Sequence, residues 1–254
     1  MIATATGTAA ELARAIQAYP TEITPRLVLA DYWTENDRPD VAAMWCGTLP
    51  ERKRTRERVD SLTDAERKRM PAWVKKWVKI GLSTAPADRP MFEAAVTQCY
   101  LATGLNPPRV VWCANPLVTV LAASMYLLKK SDAVGDAVGG AVGGAVDDAV
   151  RDAVRGAVGG AETLNLYWHY MGGQFWVGGY WWGAPAFVSF MLDVLRLKLP
   201  DHLELAARAY AATASSACWW WPHRDVVFVS ERPHTIEIRN SQKPRVQWDG
   251  WGIG

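Results

Sequence analysis

Two short tracts hold the residue types that chemistry needs. In WWWPHRDVVFVSERP, residues 219–233, His223, Ser230 and Glu231 supply an imidazole, a hydroxyl and a carboxylate. Glu231 with His223 would serve as acid and base, and Ser230 as a nucleophile. In RVVWCANP, residues 109–116, Asn115 adds an amide. Each tract runs from apolar residues of strand type into polar residues and a Pro. If the two strands lie parallel and adjacent, their carboxyl ends converge, and open α/β sheets bind ligands at such ends. Asn115, Ser230, Glu231 and Arg232 would then face one crevice, with His223, Arg224 and the triplet Trp219, Trp220, Trp221 near it. The competing role for Glu231 and Arg232 is structural. They would pair with neighbours and fix the corner where the strand turns. That role is preferred, and no G-x-S-x-G, H-E-x-x-H or phosphate loop is present. No catalytic residue is assigned, and the balance leans away from an enzyme.

A second kind of chemistry is electrostatic. Residues 51–79 carry eleven Lys and Arg against five Asp and Glu, in a chain whose net charge is only +2. Within it, ERKRTRER (51–58) has no apolar stripe and reads as a solvated linker or helix face. The alternative is phosphate contact by Arg52, Arg54, Arg56 and Arg58, which would release counterions from a nucleic acid. No helix-turn-helix, RNA-recognition or zinc-finger pattern supports it.

The four Cys (46, 99, 113, 218) lie far apart, and with four scattered His they make no metal-ligand spacing. They are read as reduced thiols of a cytoplasmic protein, with no metal and no cofactor. The start, MIATATGTAAELARAI, shows no signal-peptide pattern. Apolar stretches are broken before 18 residues, so no membrane span is expected. Half of the 254 residues are apolar and fourteen are Trp, enough for a sizeable aromatic-rich core.

These residues need elements to position them. Thr8 with Glu11, and Thr63 with Glu66, fit capping boxes. Pro25, Pro39, Pro90 and Pro116 can open helices, the last behind an Asn115 cap. Pro71 should end one helix and start another. A further helix is expected from Pro185 and one from Pro200-Asp201 to near Cys218. Strands are expected at 110–113, 226–229, 235–239 and 245–248, the last two as an antiparallel hairpin.

Between them lies residues 132–161, where Ala-Val recurs every four residues, seven times. A four-residue step drifts about 40° per repeat around a helix, so such a helix must be surrounded by protein or must supercoil. Its Gly and Val oppose a helix. Helix is favoured, with a β-solenoid as the alternative. The run holds no nucleophile and no His.

Two resemblances attach to particular residues. Pro25-Arg26-Leu27-Val28, Ala30-Asp31 and Trp33 fall in the order found in a small helical module that accompanies repeat domains in planctomycete proteins. The likeness covers roughly residues 9–45 and implies architecture, not activity. WWWPHRDVVFVSERP, WVKIGLST with ADRP (77–84, 87–90), the stretch from Pro107 to Pro116, and Asp249-Gly250-Trp251 resemble a bacterial domain-of-unknown-function family, over roughly residues 60–254. Its members carry x-S-V-x where this chain has x-A-V-x. It implies no reaction, so no catalytic residue is carried over.

The expected fold is α+β, mostly helical, with a small C-terminal sheet. Residues 1–50 would be the helical companion-like module, 51–62 a basic linker or helix, and 63–254 the main domain with sheet 225–254. The expected function is a non-catalytic interaction or scaffold protein with a protein partner. The alternatives are an enzyme or small-ligand binder at the strand-end crevice, and nucleic-acid contact through 51–79.

Overall fold

The computed structural model describes residues 3–130, 180–237, 245–248 and 251–253. The repeat at 132–161 lies outside the described residues. The fold is α+β and mostly helical, with two small sheets.

Helix α1 spans Ala3–Ala18, so Thr8 and Glu11 sit inside it rather than capping its start. Helix α2 is Thr24–Glu35, with Pro25 in its first turn, and Asp37 at φ 59° stops the chain beyond it. Helix α3, Pro39–Cys46, ends at Gly47, whose φ of 66° suits a residue without a Cβ. These helices share a core of Ile16, Leu29, Val41 and Trp45. Ala94 belongs to that same core, which joins the first fifty residues to the rest of the chain.

Helix α4 runs unbroken from Asp64 to Gly81. The Thr63/Glu66 capping box is complete, with Thr63 N–H donating to Glu66 Oε2 at 2.8 Å and Glu66 N–H to Thr63 Oγ1 at 3.3 Å. Pro71 does not divide the helix as expected. A mid-helix Pro costs roughly 3 kcal/mol, and burial of Met70, Val74, Trp77 and Gly81 along one face offsets it. Helix α5, Arg89–Ala102, is capped by the Asp88 side chain and has Phe92, Val96, Cys99 and Tyr100 fully buried. Strand β1 (Arg109–Cys113) leads into α6 (Pro116–Lys130), with Asn115 Oδ1 accepting from Val118 N–H at 2.9 Å. Helix α7 is Tyr180–Asp193, with Pro185 inside it rather than at its start, and α8 is Asp201–Ser216.

Five strands follow: β2 (Trp220–Pro222), β3 (Val226–Ser230), β4 (Thr235–Glu237), β5 (Arg245–Trp248) and β6 (Trp251–Ile253). Strands β1 and β3 are parallel, Arg109 facing Val226 and Cys113 facing Ser230. Strand β2 lies antiparallel on the other edge of β3. Strands β4, β5 and β6 form an antiparallel meander. Strands β2 and β6 were not expected from sequence. Trp220–Pro222 ends in a Pro, and both segments are only three residues long.

Residues 51–62 are neither a helix nor a free linker. They form an extended strap that pairs with the segment after α7: Thr55 and Arg56 N–H donate to Arg196 O, and Lys198 N–H donates to Arg56 O at 2.8 Å. The strap sends Val59 and Leu62 into a core built on Met70, Phe190, Met191, Leu195 and Leu197. Arg52, Arg54 and Arg56 turn inward. Arg54 Nε lies 2.9 Å from Glu204 Oε2, and Arg208 Nε lies 2.9 Å from Glu204 Oε1. Glu204 itself is 1% exposed. Removing one member of a buried ion set strands the others, at about 3–5 kcal/mol. Glu204→Ala is therefore expected to lower the free energy of unfolding in urea by about 3 kcal/mol, the lower end of that range, because Arg54 also has Asp201 and Arg208 also has Asp193.

Cys46 is exposed, whereas Cys99 is fully buried and its thiol is pushed up to about 12 by desolvation. Of the four thiols, Cys46 is expected to react fastest with a disulfide reagent in the native protein, and Cys99 only on unfolding.

Candidate functional site

The parallel pairing of β1 and β3 brings the two candidate tracts together at their carboxyl ends. Glu231 N–H donates to Cys113 O at 2.9 Å just beyond the paired strands. The corner is filled by its own side chains. Glu231 Oε1 accepts from Arg89 Nε at 2.8 Å and Nη2 at 2.6 Å, while Oε2 accepts from Ala87 N–H at 3.3 Å. The Arg89 guanidinium also lies 4.9 Å over the Trp112 ring. Trp248 Nε1 donates to Glu231 O at 3.0 Å, tying the second sheet to this corner.

Arg232 is committed in the same way. Nη1 donates to Ile80 O at 3.2 Å and Nη2 donates to Ser215 O. Those carbonyls belong to the last turns of α4 and α8, so one guanidinium binds the negative ends of two helix dipoles. Burial lowers its pKa from the ordinary value, with Cys218, Asp88 and Glu231 opposing that shift. Ser230 is fully buried, close to the Cys218 thiol. The Cys218 thiol is pushed up by burial, and its contact with Ser230 only partly offsets this.

His223 does not join this corner. It sits in the turn between β2 and β3, its N–H donating to Val226 O at 2.8 Å, at the amino end of β3. Ser230 and Glu231 stand at the other end of that strand, about 13 Å away at the rise of a β-strand. An acid–base pair of His223 and Glu231 is therefore not assembled. The imidazole is 5% exposed, between Tyr126 at 5.4 Å and Phe228 at 5.7 Å. Its carbonyl accepts from Tyr100 Oη at 2.6 Å, and burial pushes the Tyr100 phenol upward.

The remaining candidates divide by burial. Asn115 is buried and spends its side chain on the α6 cap. Trp220 is buried against Phe92, 6.0 Å between rings. Trp219 and Trp221 point to the opposite face of β2, half-buried and 6.1 Å apart, so the triplet is no single platform. Arg224 is exposed in the turn. In the strap, Arg52 pairs with Asp193, Arg54 with Asp201 and Glu204, and Arg56 with Glu66 at 2.9 Å. Arg58 pairs with Asp60 at the surface. All four guanidiniums thus have acid partners within the chain.

A space that sequence reasoning missed lies elsewhere. A cleft of about 410 Å³ opens among α3 and the segment after it, α4, α7 and α8. Trp77, Ile80, Leu192, Leu205 and Ala211 line it, with Asp40, Lys76, Asp193 and Arg208 as its charged residues. None of the strand-end candidates borders it. The signal for it was faint: Ala207, Ala211 and Ser215 recur every four residues on α8, leaving room beside that helix.

No protein-family model matches the chain, and no characterised protein and no solved structure matches it. No helix among the described residues is long and apolar enough to cross a membrane.

Changing Arg232 to Met should expose how much of the corner it holds. Two helix-end carbonyls lose their donor, so unfolding in urea should cost about 1–3 kcal/mol less. Arg224→Ala, at an exposed turn, should stay within about 0.5 kcal/mol of the parent.

Proposed function

We propose that this chain is a non-catalytic interaction or scaffold protein. The observation that supports it is the outer face of α6. Leu117, Val118, Leu121 and Met125 fall within one 100° arc of that helix and are 42–62% exposed. The opposite side, Thr119, Ala122, Ala123 and Tyr126, packs on β1, β2 and β3. A helix apolar all round is ordinarily buried all round, and exposed apolar patches mark interaction sites. The spent state of Glu231, Arg232 and Asn115 supports the same view, because the residue types best suited to chemistry are holding the fold. The likeness of residues 9–45 to a module that accompanies repeat domains fits this role as well.

The test places a photoreactive benzoylphenylalanine at position 121 of the full chain, expressed in the organism that encodes it. A discrete covalent product joining this position to a second polypeptide is expected, and none from the same probe at exposed Arg14. A probe at 121 that reacts only within its own chain, or not at all, overturns the proposal.

A further inference from the structure

We propose that the cleft between α4 and α8 is a binding site for a small carboxylic acid with an extended apolar body. This goes beyond the interaction role and does not depend on it. The volume of about 410 Å³ lies in the range of small-molecule sites. One wall is the side of α8 that carries Ala207, Ala211 and Ser215. The eight rises from Ala207 to Ser215 make a trough about 12 Å long, and the small side chains let a ligand lie close to the backbone. Ile80 and Leu205, half-buried, supply apolar surface around it, and the buried Trp77 and Leu192 complete its lining. The occupant favoured by that shape is unbranched and apolar over most of its length.

The charge at one end follows from which cleft groups are already paired. Asp40 is bonded to Arg38 at 2.9 Å, and that hydrogen bond holds its carboxyl below the usual range. Asp193 is held by Arg52 and Arg208, and Arg208 also by Glu204 at 2.9 Å. Ser189 and Ser215 donate their hydroxyls to helix carbonyls. Among the charged residues of the cleft, Lys76 has no acid partner within the described residues. Its ammonium instead lies 4.4 Å over the Trp73 ring, on a mobile four-carbon stem. An anionic head at Lys76 would be matched by that cation, whereas a cationic head would add to it.

Equilibrium dialysis of the full-length protein against labelled decanoate, below its micelle concentration, tests this. One saturable equivalent is expected. Ser215→Trp, an exposed position that projects into the trough, should weaken binding at least tenfold with the helical circular dichroism intact, and Ala211→Trp should do the same by a second route. Lys76→Gln should weaken decanoate by about fivefold, the scale of an exposed ion pair, and leave decanol unchanged. Leu121→Lys on α6 should leave decanoate binding as in the parent. Absence of saturable binding, binding indifferent to both Trp variants, or loss on Leu121→Lys overturns the proposal. The last result would put the acid on α6, while failure of the α6 cross-link leaves the cleft untouched.

Discussion

Glu204 carries an ionised group into the interior, and desolvating a carboxylate costs several kcal/mol unless cations reach it. Two guanidiniums reach it here, Arg208 from the same helix and Arg54 from a strap about 150 residues earlier. That requirement locates much of the structure. For Arg54 to arrive, the strap must run beside the end of α7, and it does so by hydrogen bonding to Arg196. Arg196 sits at φ 58°, a left-handed turn that ends α7 and returns the chain along the strap. With the strap fixed, Arg52 meets Asp193, and Val59 and Leu62 drop into the core beside Met191 and Leu195. The ionic set adds little net stability compared with apolar packing of the same volume. In the observed placement Arg54 meets that buried carboxylate, while Arg52 and Arg56 meet Asp193 and Glu66.

A similar economy governs the other end of the fold. Parallel β1 and β3 bring Cys113 and Ser230 level, and the chain must then turn away with its polar groups satisfied. Glu231 takes Arg89 and the Ala87 N–H, and Arg232 takes carbonyls in the last turns of α4 and α8. Side chains of catalytic type are thus consumed in closing helix ends and one strand corner. A carboxylate bridged to a guanidinium in this way is occupied, which suits a structural anchor better than a proton shuttle.

What could be read from the sequence was local. The Thr63/Glu66 box, the Asn115-Pro116 helix start and the Pro25 and Pro39 helix starts each depend on residues within four positions of one another. The α+β class and the antiparallel hairpin followed from periodicity and turn residues. Misreadings came where a distant partner overrode a local preference. Pro71 lies inside α4 because Val74 and Trp77 are buried on either side of one helical face. Thr8 has the right spacing for a cap, but the helix already runs through it. ERKRTRER has no apolar pattern, and its partners Asp193, Asp201 and Glu204 stand about 140–150 residues away, beyond the reach of any local rule. The conditional parallel pairing of β1 and β3 proved real, but His223 fell at the wrong end of its strand.

The alternation of β3 explains why the cleft and the outer face of α6 are separate. Val227 and Val229 face the layer of α5 and α8, while Val226 and Phe228 face α6. The sheet is therefore covered on both sides, by a thick helical layer on one and by α6 on the other. The cleft belongs to the thick side, among helices that pack on α8. Among the described residues helix α6 is the outer layer on the thin side, so its outer face must be polar or find a cover, and it is apolar at four positions. A ligand in the cleft and a partner on α6 would be divided by the sheet. Coupling between them would have to pass through β3, whose residues are buried and close-packed and leave little room for a second arrangement. The two proposed surfaces, if both are used, would therefore act independently and not as an allosteric pair.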